Sequence, residues 1–113
     1  MIKPLERRRY PRLRREERAV IRPLDVDAPE QNACHCITVD VSLNGLQVCL
    51  KQRHEPGELL DMLVNMEGYG DPFHLLGEVK WCATLRSQQD YCLGVEIKDT
   101  NDQNFSDWRR VFN

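Results

Sequence analysis

The amino-acid sequence predicts an all-β fold with one helix: a six-stranded antiparallel β-barrel, a C-terminal α-helix and a flexible arginine-rich N-terminal arm. Apolar and polar residues alternate along most of the chain, as they do in strands with one buried face. Turn dipeptides such as Asn44-Gly45 and Pro56-Gly57 separate the alternating segments. The last residues change to the three- to four-residue apolar spacing of a helix. A sheet of many short antiparallel strands is expected to close on itself.

Length and composition predict one domain, because the chain has only 113 residues. We expect residues 1–16 to form the arm and residues 17–113 a single barrel domain, with its helix at about 101–112. Apolar residues make up 41% and charged residues 30%, which excludes a wholly disordered or collagen-like chain. No apolar stretch approaches the roughly 18 residues of a membrane span, and no secretory signal is visible. The sequence therefore predicts a cytoplasmic protein.

The strands are predicted from the alternation. A first strand is expected over 17–24, and further strands are expected over 46–51, 58–66, 73–86 and 91–98. In the strand before Asn44, one set of residues is predicted to face the core: Ile37, Val39, Val41 and Leu43. The other set is predicted to face outward: Thr38, Asp40 and Ser42. In the long strand over 73–86, Trp81 alternates in phase with the apolar residues.

The C-terminal segment carries the signals of a short amphipathic helix. Thr100 with Gln103 three residues later matches a capping box. One helical face is aromatic and apolar: Phe105, Trp108, Val111 and Phe112. A helix this short is not stable alone, so we expect that face to cover one end of the barrel or an open seam.

Charge is distributed unevenly along the chain. Residues 1–22 hold nine basic and three acidic residues, a charge of +6, whereas the other 91 residues carry a charge of −8. Such a segment either binds an anionic, phosphate-bearing partner or pairs with the acidic body of its own chain. Eight of the nine bases are arginine, whose planar fork of donors matches phosphate or a guanine edge.

The cysteines and histidines do not predict a metal, a cofactor or a catalytic centre. An odd number of cysteines, five, is typical of reduced thiols rather than a disulfide framework. In Cys34-His35-Cys36 the two thiols face one side of a strand and the imidazole the other, so a metal site is not expected. His54 and His74 are interpreted as surface or strand residues. No nucleophile and base stand at a usable spacing, so the chain is not expected to be an enzyme.

Two polar motifs indicate a function. The first is Arg-x-x-x-Arg at Arg8 and Arg12, flanked by further arginines in the arm. The second is Asp-x-Ser-x-x-Gly at Asp40, Ser42 and Gly45, which places a carboxylate and a hydroxyl on one strand face before a turn. Together, in this order and in these contexts, the motifs resemble the PilZ domain, a family of receptors for cyclic di-GMP. The resemblance covers essentially the whole chain, and both motifs are intact.

The resemblance implies a non-catalytic second-messenger receptor that binds cyclic di-GMP and relays it to a protein partner. The implied ligand-binding residues are Arg7, Arg8, Arg9, Arg12, Asp40, Ser42 and Gly45. The arginines would contact phosphates and guanine edges, Asp40 would accept from guanine N–H groups, and Gly45 would leave room for the ligand. The arm would close over the bound ligand. Trp81 would either border a guanine or lie in the core, and the core is the favoured interpretation.

Two alternatives stay open at this point. A small RNA- or DNA-binding barrel would explain the arginine-rich arm, but only Tyr10 and Tyr69 are candidates for base stacking, and the body is acidic. A PilZ-like interaction module that does not use the ligand is the second alternative. Oligomeric state, downstream pathway and the number of ligands bound do not follow from the sequence.

Overall fold

The computed structural model describes residues 17–24, 33–85 and 90–112. Six strands and one helix follow in order: β1 (Arg18–Pro23), β2 (Cys34–Ser42), β3 (Gly45–Leu50), β4 (Leu59–Val64), β5 (Phe73–Thr84), β6 (Tyr91–Ile97) and α1 (Gln103–Val111). Every strand pairs antiparallel with two neighbours, and the sheet closes as β1-β2-β3-β6-β5-β4. The predicted barrel and helix are thereby confirmed. The arm over residues 1–16 lies outside the described residues, with Arg7, Arg8, Arg9 and Arg12.

The interior of the barrel is filled by apolar side chains from all six strands. The fully buried members include Ile21, Val41, Val48, Leu60, Met62, Val64, Val79 and Leu93. A barrel of this size leaves an interior just wide enough for such side chains. The interior is therefore a packed core, and a ligand has to bind on the outside. In the part of the chain that the structure describes, no helix is long and apolar enough to cross a membrane.

The helix closes one end of the barrel. Trp108 is fully buried, and its Nε1 donates to the carbonyl oxygen of Leu43 in the β2–β3 turn at 3.0 Å. The indole also packs edge-to-face on Phe73 and Phe112, with ring centroids 5.3 Å and 5.1 Å away. The predicted aromatic helix face is therefore confirmed, and it covers a barrel end.

The helix begins at Gln103, two residues later than a helix capped by Thr100 would begin. Asp102 is the N-cap, and its Oδ1 accepts from the backbone N–H of Phe105 at 3.0 Å. Thr100 instead donates its hydroxyl to Asp102 Oδ1 at 2.6 Å, and both bonds lower the pKa of Asp102, the hydroxyl more strongly. Asn101 lies between them with φ at 56°, a left-handed conformation that a helix cannot include. The capping box predicted at Thr100 is therefore wrong.

The β2–β3 hairpin turns one residue earlier than predicted. Ser42 pairs with Gly45, so Leu43 and Asn44 are the two turn residues. Neither Asn44 nor Gly45 has positive φ. The turn is held instead by its surroundings, because its two carbonyls accept from Trp108 and from the Ile97 backbone N–H, the latter at 2.9 Å.

A β-bulge reverses the alternation of β2. Pairing with β3 shifts between Thr38 and Asp40. The alternation of inward-facing and outward-facing residues before the shift is therefore opposite to the alternation after it. Thr38 is consequently buried, while Ile37 and Val39 are 51% and 40% exposed. The prediction that Ile37 and Val39 face the core and Thr38 faces outward is wrong, whereas Asp40 follows the predicted outward phase.

A second bulge reverses the alternation of β5. Its pairing with β6 shifts between Val79 and Trp81. Val79 is fully buried, Trp81 is 43% exposed, and Cys82 packs against the core. The favoured core position for Trp81 is therefore wrong, because the extra residue turns the indole to the outer face.

The two histidines differ from each other. His54 is buried in the segment between β3 and β4, with its Nδ1 2.9 Å from Glu58 Oε2, so its interpretation as a surface or strand residue is wrong. His74 is an exposed residue of β5 that contacts Asp61 of β4, which agrees with the expectation for it.

Candidate functional site

A cleft of about 180 Å³ lies on the outer face of the barrel, across the two bulged strands and the two strands between them. Its lining comprises Asp40, Ser42, Gly45, Leu46, Gln47, Lys80, Trp81, Gly94, Val95 and Glu96. Strand register orders the lining into two rows. One row runs Ser42, Gly45, Glu96 and continues to Glu78 beyond the lining, and the other runs Asp40, Gln47, Gly94, Trp81. Asp40, Ser42 and Gly45, which the sequence predicts to act together, thus lie side by side.

Trp81 forms one wall of the cleft by lying flat against a glycine of the next strand. A Cβ built on Gly94 would be 2.1 Å from Trp81 Nε1 and 2.3 Å from Cε2. Only glycine allows this contact, because any side chain would occupy the space of the indole. Sequence reasoning missed Gly94. The available signal was a glycine in the middle of an otherwise apolar strand, which often marks a close approach of another group.

Gly45 keeps β3 close to β6 at the floor of the cleft. A Cβ at this position would lie 3.0 Å from the Val95 carbonyl oxygen. The motif glycine therefore favours a close approach of strands, rather than a left-handed turn conformation. Ser42 donates its hydroxyl to the Gly45 carbonyl at 3.2 Å, which leaves the hydroxyl oxygen able to accept.

The chain is anchored beside the cleft at the point where the described part begins. The backbone N–H of Glu17 donates to Thr38 Oγ1 at 2.9 Å, and the Thr38 N–H donates to the Glu17 carbonyl at 2.8 Å. Thr38 is buried and lies two residues from Asp40 in β2. These bonds fix the chain end from which residues 1–16 extend, next to the bulge that presents Asp40.

Four alternating charges lie at the other side of the cleft, and two of them, Lys80 and Glu96, line it. Glu78 and Glu96 face each other across β5 and β6, and Lys98 bridges them at 2.7 Å and 2.9 Å. Lys80 contacts the same two carboxylates at 3.3 Å each. We call these four residues the charge quartet. Hydrogen bonds from Lys98 and then Lys80 lower the pKa of both glutamates, and the same bonds raise the pKa of both lysines.

The quartet carries no net charge, so it borders the cleft without giving it a strong electrostatic preference of its own. A pattern in the sequence could have indicated it, since Glu-x-Lys occurs in β5 and again where β6 ends. No group of three or more His, Cys, Asp or Glu side chains suitable for a metal ion occurs among residues 17–24, 33–85 and 90–112. The lining instead offers a carboxylate, a hydroxyl, an amide and an aromatic face, which are groups suited to recognition of a planar polar molecule.

The chain shares its fold with several proteins of known structure. No protein of curated function matches its sequence significantly. The PilZ domain of Escherichia coli YcgR with c-di-GMP superposes with a TM-score of 0.67 at 16% identity, covering 95% of this chain and 89% of that one. The MrkH–c-di-GMP complex of K. pneumonia gives 0.65 at 19% identity, covering 95% and 49%. The inhibitor of motility MotI/DgrA of Bacillus subtilis gives 0.66 at 16% identity, covering 96% and 53%.

These structures share the fold of the chain, which spans about half the length of MotI and MrkH. The sequence itself matches the family model of the PilZ domain over residues 6–112. That match includes the barrel, the cleft with Asp40, Ser42 and Gly45, and the helix. The chain belongs to the PilZ domain family.

Proposed function

We propose that this protein is a non-catalytic receptor for cyclic di-GMP and that the ligand binds at the cleft beside Asp40. One observation carries the proposal: Asp40, Ser42 and Gly45 line a single outward-facing cleft together with Trp81. Two of the structures that share the fold, those of YcgR and MrkH, are described as complexes with c-di-GMP. Family membership and the chemistry of the cleft therefore point to the same ligand.

The groups in the cleft are complementary to a guanine base. A carboxylate at Asp40 offers two acceptor oxygens to the parallel N1–H and N2–H donors of guanine, a charge-assisted pair of bonds. The indole of Trp81 offers a flat apolar surface on which a purine can stack. Ser42 supplies a hydroxyl oxygen that can accept from the base, because its hydrogen is already donated to the Gly45 carbonyl.

The cleft can enclose only part of such a ligand. Its volume is about 180 Å³, whereas sites that bury most of a small molecule measure roughly 300–1,000 Å³. We propose that the arginines of the arm cover the remainder and contact the phosphates and the outer guanine edges: Arg7, Arg8, Arg9 and Arg12. Fork-shaped guanidinium groups are suited to both.

Chain length permits this closure. Glu17 is held beside Thr38, so Arg12 and Arg8 are five and nine residues from a fixed point near the cleft. Extended segments of these lengths span at most about 18 Å and about 32 Å. Both arginines can therefore reach Asp40 without any change in the barrel. Ordering residues 1–16 over the ligand would create a new surface, and we propose that a cytoplasmic protein partner recognises that surface.

Isothermal titration calorimetry with cyclic di-GMP tests the proposal. Asp40→Ala should weaken binding at least about tenfold, because a charge-assisted pair of bonds contributes roughly 1.5–3 kcal/mol. Asp71→Ala is the matched control, since that exposed aspartate lies on the β4–β5 loop and does not line the cleft. Binding should persist in excess GTP.

Equal affinities of wild type and Asp40→Ala would contradict the proposed site. Binding of single-stranded oligonucleotides that increases with their length and falls steeply with salt would favour a nucleic-acid barrel instead. Tyr69, the stacking candidate within the described residues, packs on Phe73 with centroids 5.5 Å apart, in the β4–β5 loop rather than in the cleft. No geometry of the cleft therefore favours that alternative.

A further inference from the structure

Two cysteines face each other on the outer face of the barrel, one row beyond the cleft. Cys49 of β3 is paired directly with Cys92 of β6. Their sulfur atoms are 3.6 Å apart and both thiols are reduced. Cys49 is half-buried and therefore accessible, whereas Cys92 is buried.

The backbone geometry suits a bond between them. Directly opposed residues of antiparallel strands have Cα atoms about 4.5–5.5 Å apart, within the range of roughly 4.4–6.8 Å that disulfides span. Side-chain rotation alone has to bring the sulfurs from 3.6 Å to the bonding distance of about 2.05 Å. The barrel therefore does not have to deform.

We propose that Cys49 and Cys92 form an oxidisable dithiol, which a peroxide converts into a disulfide that links β3 to β6. Cys49, as the accessible thiol, attacks the peroxide oxygen as a thiolate and becomes a sulfenic acid, with release of one water from hydrogen peroxide. Cys92 then attacks the Cys49 sulfur and releases a second water. Two thiols and one peroxide thus give one disulfide and two waters, and a dithiol reductant reverses the reaction.

The surroundings of the pair determine when it reacts and connect it to the cleft. Burial, then the Cys92 hydrogen bond and the charges of Cys92 and Asp90, raise the pKa of Cys49 to about 11. The Cys49 thiol is therefore mostly neutral near pH 7, and the pair should respond to abundant rather than trace oxidant. Gln47, which lines the cleft, donates its Nε2–H to Cys92 Sγ at 3.0 Å. The disulfide would therefore include the Cys92 sulfur, which already accepts a hydrogen bond from a residue that lines the cleft.

Peroxide treatment of the full chain, followed by thiol counting in denaturant, tests the proposal. The number of free thiols should fall from the five of the sequence to three. Cleavage before aspartates then gives fragments 40–60 and 90–98, each with one cysteine, Cys49 and Cys92 respectively. These two fragments should be joined in a product that dithiothreitol separates. The link restrains the unfolded chain, so the thermal midpoint should rise by at least about 5 °C.

Two variants keep the test specific. Cys34→Ser should form the same linked fragments, whereas Cys49→Ser should form none and show no rise in the thermal midpoint. The proposal is overturned if five thiols persist at peroxide levels that oxidise methionine, or if the linked fragment contains Cys34, Cys36 or Cys82. These readouts do not use cyclic di-GMP, so they are independent of the proposed function.

Discussion

The two tryptophans of this chain lie in contrasting regions. Trp108 is fully buried at the closed end of the barrel, with its Nε1–H bonded to a backbone carbonyl and its ring enclosed by other aromatic rings. Trp81 is 43% exposed on the outer face, with one side of its ring against Gly94 and the other facing the cleft. The same residue type thus serves packing in one region and lines the proposed ligand cleft in the other.

The difference between the regions originates in strand pairing. At the closed end of the barrel, buried and exposed residues alternate without interruption and the helix packs over them. The contacts at this end are made within the chain. The cleft lies where β2 and β5 each contain a register shift, and each shift is followed by a cleft residue, Asp40 in one strand and Trp81 in the other. Bulges commonly re-aim side chains at functional sites. Regular pairing stabilises this molecule, and interrupted pairing shapes the cleft on its surface.

Replacing Trp108 should have the largest effect, and it should fall on stability. Trp108→Ala removes a fully buried side chain and leaves the Leu43 carbonyl without its indole donor, so we expect a loss of about 3–5 kcal/mol in the free energy of unfolding. Trp81→Ala is the control in the other region and should cost less than about 1 kcal/mol, while weakening cyclic di-GMP binding. Urea denaturation measures the first and calorimetry the second. If both variants lowered the free energy of unfolding equally, the stated difference between the two regions would be wrong.

An intermediate effect is expected at Gly94. In Gly94→Ala the new Cβ requires the space of the Trp81 indole, so the ring has to leave the wall of the cleft. We expect affinity for cyclic di-GMP to fall about tenfold, comparable to the loss of one stacking contact of roughly 1–3 kcal/mol, with a shift in tryptophan fluorescence.

Gly70→Ala is the matched control for Gly94, because a Cβ at Gly70 meets no atom within 4 Å. That variant should bind like the wild type. If Gly94→Ala also keeps full affinity while its fluorescence shifts, Trp81 does not contribute to the ligand site.

The smallest effect should come from the charge quartet, whose side chains are 24% to 50% exposed, so that solvent weakens their ion pairs. The pKa values of Glu78 and Glu96 are lowered, so their stabilisation is present above the ordinary value of 4.5 and is lost as pH falls through the lowered values. The pKa values of Lys80 and Lys98 are raised, so their stabilisation is present below 10.5 and is lost as pH rises through the raised values.

Urea midpoints at pH 7 and pH 3 measure this contribution. Glu78→Gln should reduce the midpoint slightly at pH 7 and by less at pH 3, and added salt should diminish the difference. Glu55→Gln makes the same charge change in an exposed pair with Arg53 and should change the pH dependence less. An identical pH dependence in all three proteins would mean that the quartet contributes nothing to stability.

Much of the architecture follows from the sequence, because alternation and helical spacing depend on residues that are close along the chain. Asp40 and Ser42 are two residues apart in one strand, so their shared face could be predicted from the strand period alone. The positions of Ile37, Val39 and Trp81 could not, because a bulge is a property of two paired strands. One extra residue in a strand exchanges the inward-facing and outward-facing positions of all residues on one side of it.

Other features depended on contacts between distant segments. The turn at Leu43 and Asn44 is fixed by Trp108 and Ile97, which are more than fifty residues away along the chain. The role of Gly94 requires Trp81 on the neighbouring strand. The roles of Asp40, Ser42, Gly45 and the arm arginines stay predictions until the binding experiments are made.

Closure of the barrel restricts how another protein can recognise this one. Each of the six described strands already has a hydrogen-bonded neighbour on both sides, so none offers a free row of backbone donors and acceptors for an incoming strand. A partner protein therefore has to contact side chains on the outer wall, on a loop or on the helix. Its selectivity would then depend on surface shape and charge rather than on shared backbone pairing.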